Sequence, residues 1–222
     1  MFNTNIFQDE TSIPDEADVI FVSDAFSADY VGGAELTTDA LIDASPFQTF
    51  RLHSNKVTMN LLQQGADRLW IFGNFQNLDQ NLIPTIVGNL TYSIVEYDYK
   101  YCKYRSPEKH FFAENKECDC HNQMNGKLVS AFFYGSNSLW WMSEKQMETY
   151  HTKFPFLKEK VNTVLSSVFD EDFFSYVSEL NEQNKDKERS GYIVVGSTSW
   201  IKGVEDAEAY CKSNNLDYEV VW

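Results

Sequence analysis

Apolar residues in this chain fall into short runs, and most runs are followed by a stretch in which apolar positions recur at helical spacing. Residues 19–22 (VIFV), 68–73 (RLWIFG), 91–96 (TYSIVE) and 138–142 read as strands, with further strand-like segments at 47–53 and 163–168. Between them, residues 35–43, 58–64, 78–88, 127–134, 143–154 and 172–181 read as helices. Gly65 stops the second helix, the third tolerates Pro84, and Ser143 with Glu144 starts the helix over 143–154. Strands that alternate with helices predict an α/β fold, a Rossmann-like parallel sheet with helices on both faces.

Two stretches break the rhythm. Residues 97–127 are polar, aromatic and cysteine-bearing, without clean periodicity, and are long for a structureless loop. Residues 181–191 (NEQNKDKERSG) are a charged run that reads as a linker. Beyond it the pattern restarts with a strand at 192–195, a loop over 196–203, a helix at 204–213 and a strand at 218–222. The expected organisation is therefore an irregular lead-in over 1–17, a main domain over 18–180 with an insertion at about 97–127, the linker, and a partial second βαβ unit over 192–222.

Composition changes the picture in three places. A net charge of −15 over 222 residues disfavours a nucleic-acid backbone or an anionic membrane surface as partner. No run reaches the length of a membrane span, and the polar, acidic start is not a secretory signal, so a cytoplasmic location is expected. Aromatic residues reach 15%, which suits either a dense core or surfaces that stack on sugar rings; Trp140, Trp141, Tyr97, Tyr99, Tyr101 and Tyr104 are the candidates for stacking.

Candidate chemistry gathers at three points. The first strand runs into a loop ending in Gly32, Gly33, Ala34 and Glu35, where a helix begins. Glycines at a helix start let backbone N–H groups approach an anion, which the helix dipole favours. Around the end of the 91–96 strand lie Glu96, Asp98, Lys100, Lys103 and Arg105; Asp98 is a candidate acid/base and Arg105 a candidate phosphate contact. Within the aperiodic stretch, Cys102, His110, Cys118, Cys120 and His121 lie close together in sequence. Thiolate and imidazole are the ligands that zinc prefers. Cys102, His110, Cys118 and Cys120 are the expected ligands of a structural zinc, with His121 as a substitute; unligated thiols in a reducing compartment are the other reading. No phosphate-binding P-loop, nucleophile elbow or HExxH motif occurs.

The segment DVIFVSDAFSADYVGGAE resembles the opening of two-Rossmann-domain (GT-B) glycosyltransferases, family four in particular. SNSLWWMSEKQMETYHTKFP is similar to a later strand, Ser-Glu, helix element of the same N-terminal domain, and YIVVGSTSWIKGVEDAEAY to the start of the donor-binding domain. The resemblance implies transfer of a sugar from a nucleotide-sugar donor to an acceptor. Gly32, Gly33 and Lys202 would then handle phosphates, and Glu35 would lie near the acceptor. Ser197 stands where the family usually has a phosphate-binding Arg, and Tyr97 precedes Asp98 where the family has a histidine. The resemblance also leaves the donor half incomplete within residues 192–222. A non-catalytic binding or assembly module, completed as a homodimer or by a partner chain, is the alternative expectation, and a zinc-stabilised interaction fold is a third.

Overall fold

The computed structural model describes residues 12–169, 171–196 and 202–221. It divides into two compact units, with the boundary between residues 170 and 171.

The first unit is a six-stranded sheet: β1 (Val19–Ser23), β2 (Thr49–His53), β3 (Leu69–Phe72), β4 (Thr91–Glu96), β5 (Ser138–Trp141) and β6 (Val161–Val164). The spatial order is β2-β1-β3-β4-β5-β6 and every pairing is parallel. Parallel neighbours need crossovers, and the helices α1 (Gly33–Asp43), α2 (Met59–Gln64), α3 (Ile83–Asn89), α4 (Pro107–Glu114), α5 (Met124–Gly135) and α6 (Glu144–Lys153) lie along the connections. The expected α/β architecture is therefore present.

The strands read as unbroken apolar runs because both faces of the sheet are buried. Along β1, Ile20 and Val22 enter one core cluster, while Val19 and Phe21 enter the other. The larger cluster is aromatic. Phe72, Tyr92 and Phe132 pack ring on ring, as do Phe133, Trp141 and Tyr150. The high aromatic content thus largely fills this core. Trp141 is wholly buried against Tyr150, and Tyr101 packs edge-on against the same tyrosine.

Because all six strands run the same way, their carboxyl ends share one edge. The direction of chain progression reverses between β1 and β3, the position at which open sheets of this kind form a ligand crevice. Loops there are cross-tied. The Asp24 carboxylate accepts from the backbone N–H groups of Gln76 and Asn77, 3.0 Å each, and from Ser54 Oγ.

The second unit holds α7 (Glu171–Asn184), β7 (Tyr192–Val195), α8 (Val204–Ser213) and β8 (Tyr218–Val221). β7 and β8 pair in parallel, and Val194, Val204 and Cys211 form their small core. The expected linker over 181–191 begins inside α7, which runs three residues further than the 172–181 pattern indicates, because Leu180, Asn181 and Asn184 still complete its last turns; Asn184 Nδ2 donates to Leu180 O at 2.6 Å. The stretch at 97–127, without clean periodicity in the sequence, contains α4 and a 3₁₀ turn at Cys120–Asn122. No helix among the described residues is long and apolar enough to cross a membrane.

Candidate metal centre

Four chain positions bring the four expected ligands together. Cys102 sits in a tight turn after β4, closed by its own N–H donating to Tyr99 O at 2.8 Å. His110 lies in the middle of α4. That helix starts where Ser106 Oγ accepts from Lys109 N and Pro107 occupies its first position. α4 ends on Asn115 in the left-handed conformation, φ 50°, which turns the chain back on itself. Cys118 follows in the returning segment, and Cys120 opens the 3₁₀ turn before α5.

The ligand atoms of Cys102, His110, Cys118 and Cys120 all lie within 4.8 Å of one another, and all four residues are buried. His110 Nδ1 is 3.7 Å from Cys102 Sγ and 3.4 Å from Cys120 Sγ. Zn–S and Zn–N bonds of about 2.3 and 2.1 Å would hold tetrahedral donors roughly 3.5–3.8 Å apart. The cluster can hold a metal ion as it stands. The substitute, His121, is not part of it; its ring packs against Phe154 and its buried Nδ1 has no hydrogen-bond partner.

The surroundings fit a metal-binding histidine. With Nδ1 aimed at sulfur, the imidazole proton belongs on Nε2, which is buried without a hydrogen bond and lies 3.7 Å from Glu114 Oε2. A carboxylate behind the second ring nitrogen is the usual outer support of a metal-bound histidine. Glu114 is held ionised, down to about 2, chiefly by Lys103, with help from the Tyr104 hydroxyl and Lys116. The Tyr104 ring stands edge-on against the imidazole, 5.5 Å between centroids. Burial pushes the Cys102 thiol up and that of Cys118 up to about 12. These thiols therefore stay protonated unless a cation takes the place of their protons.

No protein-family model matches the chain, and no curated protein matches it.

The other expected site residues divide into two groups. Gly32, Gly33 and Glu35 do form the start of α1 at the carboxyl edge, with Gly32 as N-cap. A Cβ on Gly32 would collide with Glu35 Oε2. The first turn of α1 thus already carries a carboxylate folded back over its cap. Thr38, one turn on, shares a 2.7 Å hydrogen bond with the Tyr97 hydroxyl, which ties α1 to the exit of β4. Burial raises the Tyr97 phenol, and Glu35 is near enough to add to the effect. Gly73 makes this approach possible, since a Cβ there would stand 3.2 Å from the Tyr97 ring.

Asp98 and Arg105 are ion-paired with each other. Arg105 also donates to Asn74 Oδ1 at 2.9 Å and Gln76 Oε1 at 2.8 Å, so its guanidinium clamps the loop after β3 to the loop after β4. Its backbone is left-handed, φ 56°, a strained conformation for a side chain of this size. Lys202 lies in the second unit, exposed, one residue before the left-handed Gly203 that caps α8. Ser197 lies outside the described residues.

Two residues with clear roles, Gly126 and Glu114, went unread in the sequence, and a third, Glu96, was named there without a role. Gly126, inside α5, lets that helix approach the metal turn, because a Cβ there would strike Cys120 O and His121 Cα. Glu114 places a carboxylate 3.7 Å behind His110 Nε2. Glu96, fully buried at the end of β4, accepts from Lys100 Nζ at 3.0 Å, Lys100 N at 2.9 Å and Tyr150 Oη at 2.7 Å, and so anchors the start of the Cys102 turn. Burial raises its carboxyl pKa while Lys100 opposes the rise. The one available signal was Ser106-Pro107-Glu108, a helix start hidden inside the aperiodic stretch.

Proposed function

We propose that Cys102, His110, Cys118 and Cys120 hold one zinc ion in a structural role. Three soft thiolates and an imidazole select zinc among the common divalent ions. Four protein donors fill a tetrahedral shell and leave no open position for a reacting water, so the ion would supply folding energy rather than catalysis. What supports the reading is the convergence of all four ligand atoms within 4.8 Å in a buried setting. Metal analysis of the purified protein tests it. One zinc per chain is expected, and a fully folded, metal-free sample would remove the proposal.

We further propose that the first unit is the acceptor-side half of a sugar transferase, whose donor is a nucleotide-sugar. The supporting observation is the meeting, at the sheet's reversal point, of the α1 start (Gly32, Gly33, Glu35) with the exit of β4 through the Thr38–Tyr97 hydrogen bond. Ligand crevices of doubly wound sheets form there, and the glycine turn carries the resemblance to family-four enzymes. In this reading the zinc sets the path of the chain after β4, and so places Tyr97 and Asp98. The second unit would contribute the first strands of the donor-binding half, with Lys202 toward the diphosphate. Calorimetry with the common nucleotide-sugars, followed by an assay of sugar transfer to a panel of acceptors, tests the reading. Absence of heat with every donor counts against it.

A further inference from the structure

A second concavity adjoins the metal centre. It has a volume of about 240 Å³ and lies between the loop after β3, the Cys102 turn and α5. Its apolar floor includes the Phe75 ring and Leu128. Its polar lining has a particular composition. Lys100, Lys103 and Arg105 line the concavity together with the amides of Gln76, Gln80 and Asn125. Among the described residues no carboxylate lines it, in a chain whose net charge is −15. The three cations do have acidic partners, Glu96, Glu114 and Asp98, but none of these acids is part of the lining. Cys102, one of the four converging donors, and the left-handed Arg105 both belong to this lining.

The volume falls below the roughly 300 Å³ at which sites for drug-sized ligands begin. A whole nucleotide-sugar is too large, whereas a single ring fits the scale. Side-chain amides pair with hydroxyl groups, because each offers both donors and an acceptor. The Phe75 face itself is taken by Lys100 Nζ, 5.2 Å from the ring centroid, so Leu78, Ile83, Leu128 and Val129 supply the apolar cover for one side of a sugar ring, and the cations select an anionic substituent through charge-assisted hydrogen bonds. We propose that this pocket binds a single sugar ring bearing a phosphate or carboxylate group. This deepens the sugar-transfer reading by naming the class of acceptor and rests on it to that extent.

Binding is separable from turnover, which makes the test clean. The zinc-loaded full chain would be titrated calorimetrically with glucose 6-phosphate and with glucuronate, using glucose and inorganic phosphate as controls. Binding of at least one acidic sugar is expected, with glucose and free phosphate each weaker by about tenfold or more, the worth of one hydrogen bond to a charged group. The arm that binds decides between phosphate and carboxylate. Gln80→Trp places an indole at the exposed mouth and is expected to abolish binding without changing zinc content. Asn125→Asp keeps the shape but adds a negative charge, and is expected to weaken the acidic sugar about tenfold. Failure of both acidic sugars to bind at millimolar concentration overturns the proposal, as does binding that both substitutions leave unchanged. Nucleotide-sugar binding without acidic-sugar binding would sink this inference alone. Acidic-sugar binding with no transfer from any donor would sink the transferase reading alone.

Discussion

Two loops leave the carboxyl edge of the sheet on either side of β3, and they hold together in different ways. The loop after β1 carries a sharp sequence motif, Gly-Gly-Ala-Glu, yet it is built from backbone turns and movable side chains, with Tyr30 and Val31 exposed. The segment after β4 carries no standard spacing, yet it closes four buried ligand atoms on one point and backs them with Glu114, Tyr104 and Gly126. A short motif marks where backbone can approach a ligand. Ligands scattered over almost twenty residues mark where the chain itself must converge. The first is open to solvent and adaptable, and the second is closed and buried.

The largest expected effect follows from that contrast. Removing the metal with a chelator, or replacing Cys118 with Ser, is expected to unfold the segment 97–123 and destabilise the first unit. At a thousandfold excess of free metal over Kd, the bound ion contributes about 4 kcal/mol. Losing it would lower the Tm by roughly 10 °C for a unit of this size. Thermal scans with and without chelator measure this, and equal Tm values would erase the distinction between the two loops. The same centre is expected to respond to pH. The Cys102 and Cys118 thiols are protonated when free, so metal binding releases protons, and affinity falls as the pH is lowered.

Gly126→Ala comes next. The added methyl meets Cys120 O, a backbone atom that cannot swing away, so α5 or the metal turn must shift. Overpacking of this kind costs about 1–3 kcal/mol. Chemical denaturation would read the loss, and zinc retention measured beside it would show whether the shift reaches the ligands. Glu114→Gln is milder. It keeps the shape but removes the charge behind His110 Nε2, and is expected to reduce zinc affinity about tenfold, as other outer-sphere substitutions do. Competition with a chromophoric chelator would report it, and unchanged affinity would mean that Glu114 serves only its partners Lys103, Lys116 and Tyr104.

Much of this was legible in the sequence, for physical reasons. A parallel sheet buried on both faces writes itself as apolar runs, so β1, β3 and β4 could be placed within a residue or two. Metal-ion chemistry restricts ligand types so strongly that the converging set Cys102, His110, Cys118 and Cys120 could be named without coordinates. What stayed hidden depends on partners distant in sequence. Nothing near Arg105 says that its guanidinium meets Asn74 and Gln76, and nothing near Gly126 says that a carbonyl presses on it. α4 escaped notice because its apolar stripe is short, although its Ser106 cap and Pro107 start were in plain view. Trp140 and Trp141 could not be divided between core and surface until their strand was placed. Alternation then sent Trp141 into the large aromatic cluster and left Trp140 partly covered on the other face.

The smallest effect is expected at the motif that looked most informative. Gly32 has φ −140° and ψ 166°, an extended conformation open to any residue, so no backbone strain opposes Gly32→Ala. The obstacles to a methyl are the Glu35 carboxylate and the Tyr30 ring, both at the ends of side chains that can rotate. The substitution is expected to cost within about 1 kcal/mol and to leave zinc content unchanged. If the glycine turn receives a ligand by backbone approach, the same methyl would weaken that ligand far more than it weakens the fold, because the crowding then falls on the ligand instead of on Glu35. Stability and nucleotide-sugar affinity measured on one Gly32→Ala preparation separate the two roles. A fall in stability as large as that of Cys118→Ser would show that the β1 exit is as closed as the β4 exit, and the contrast between them would not stand.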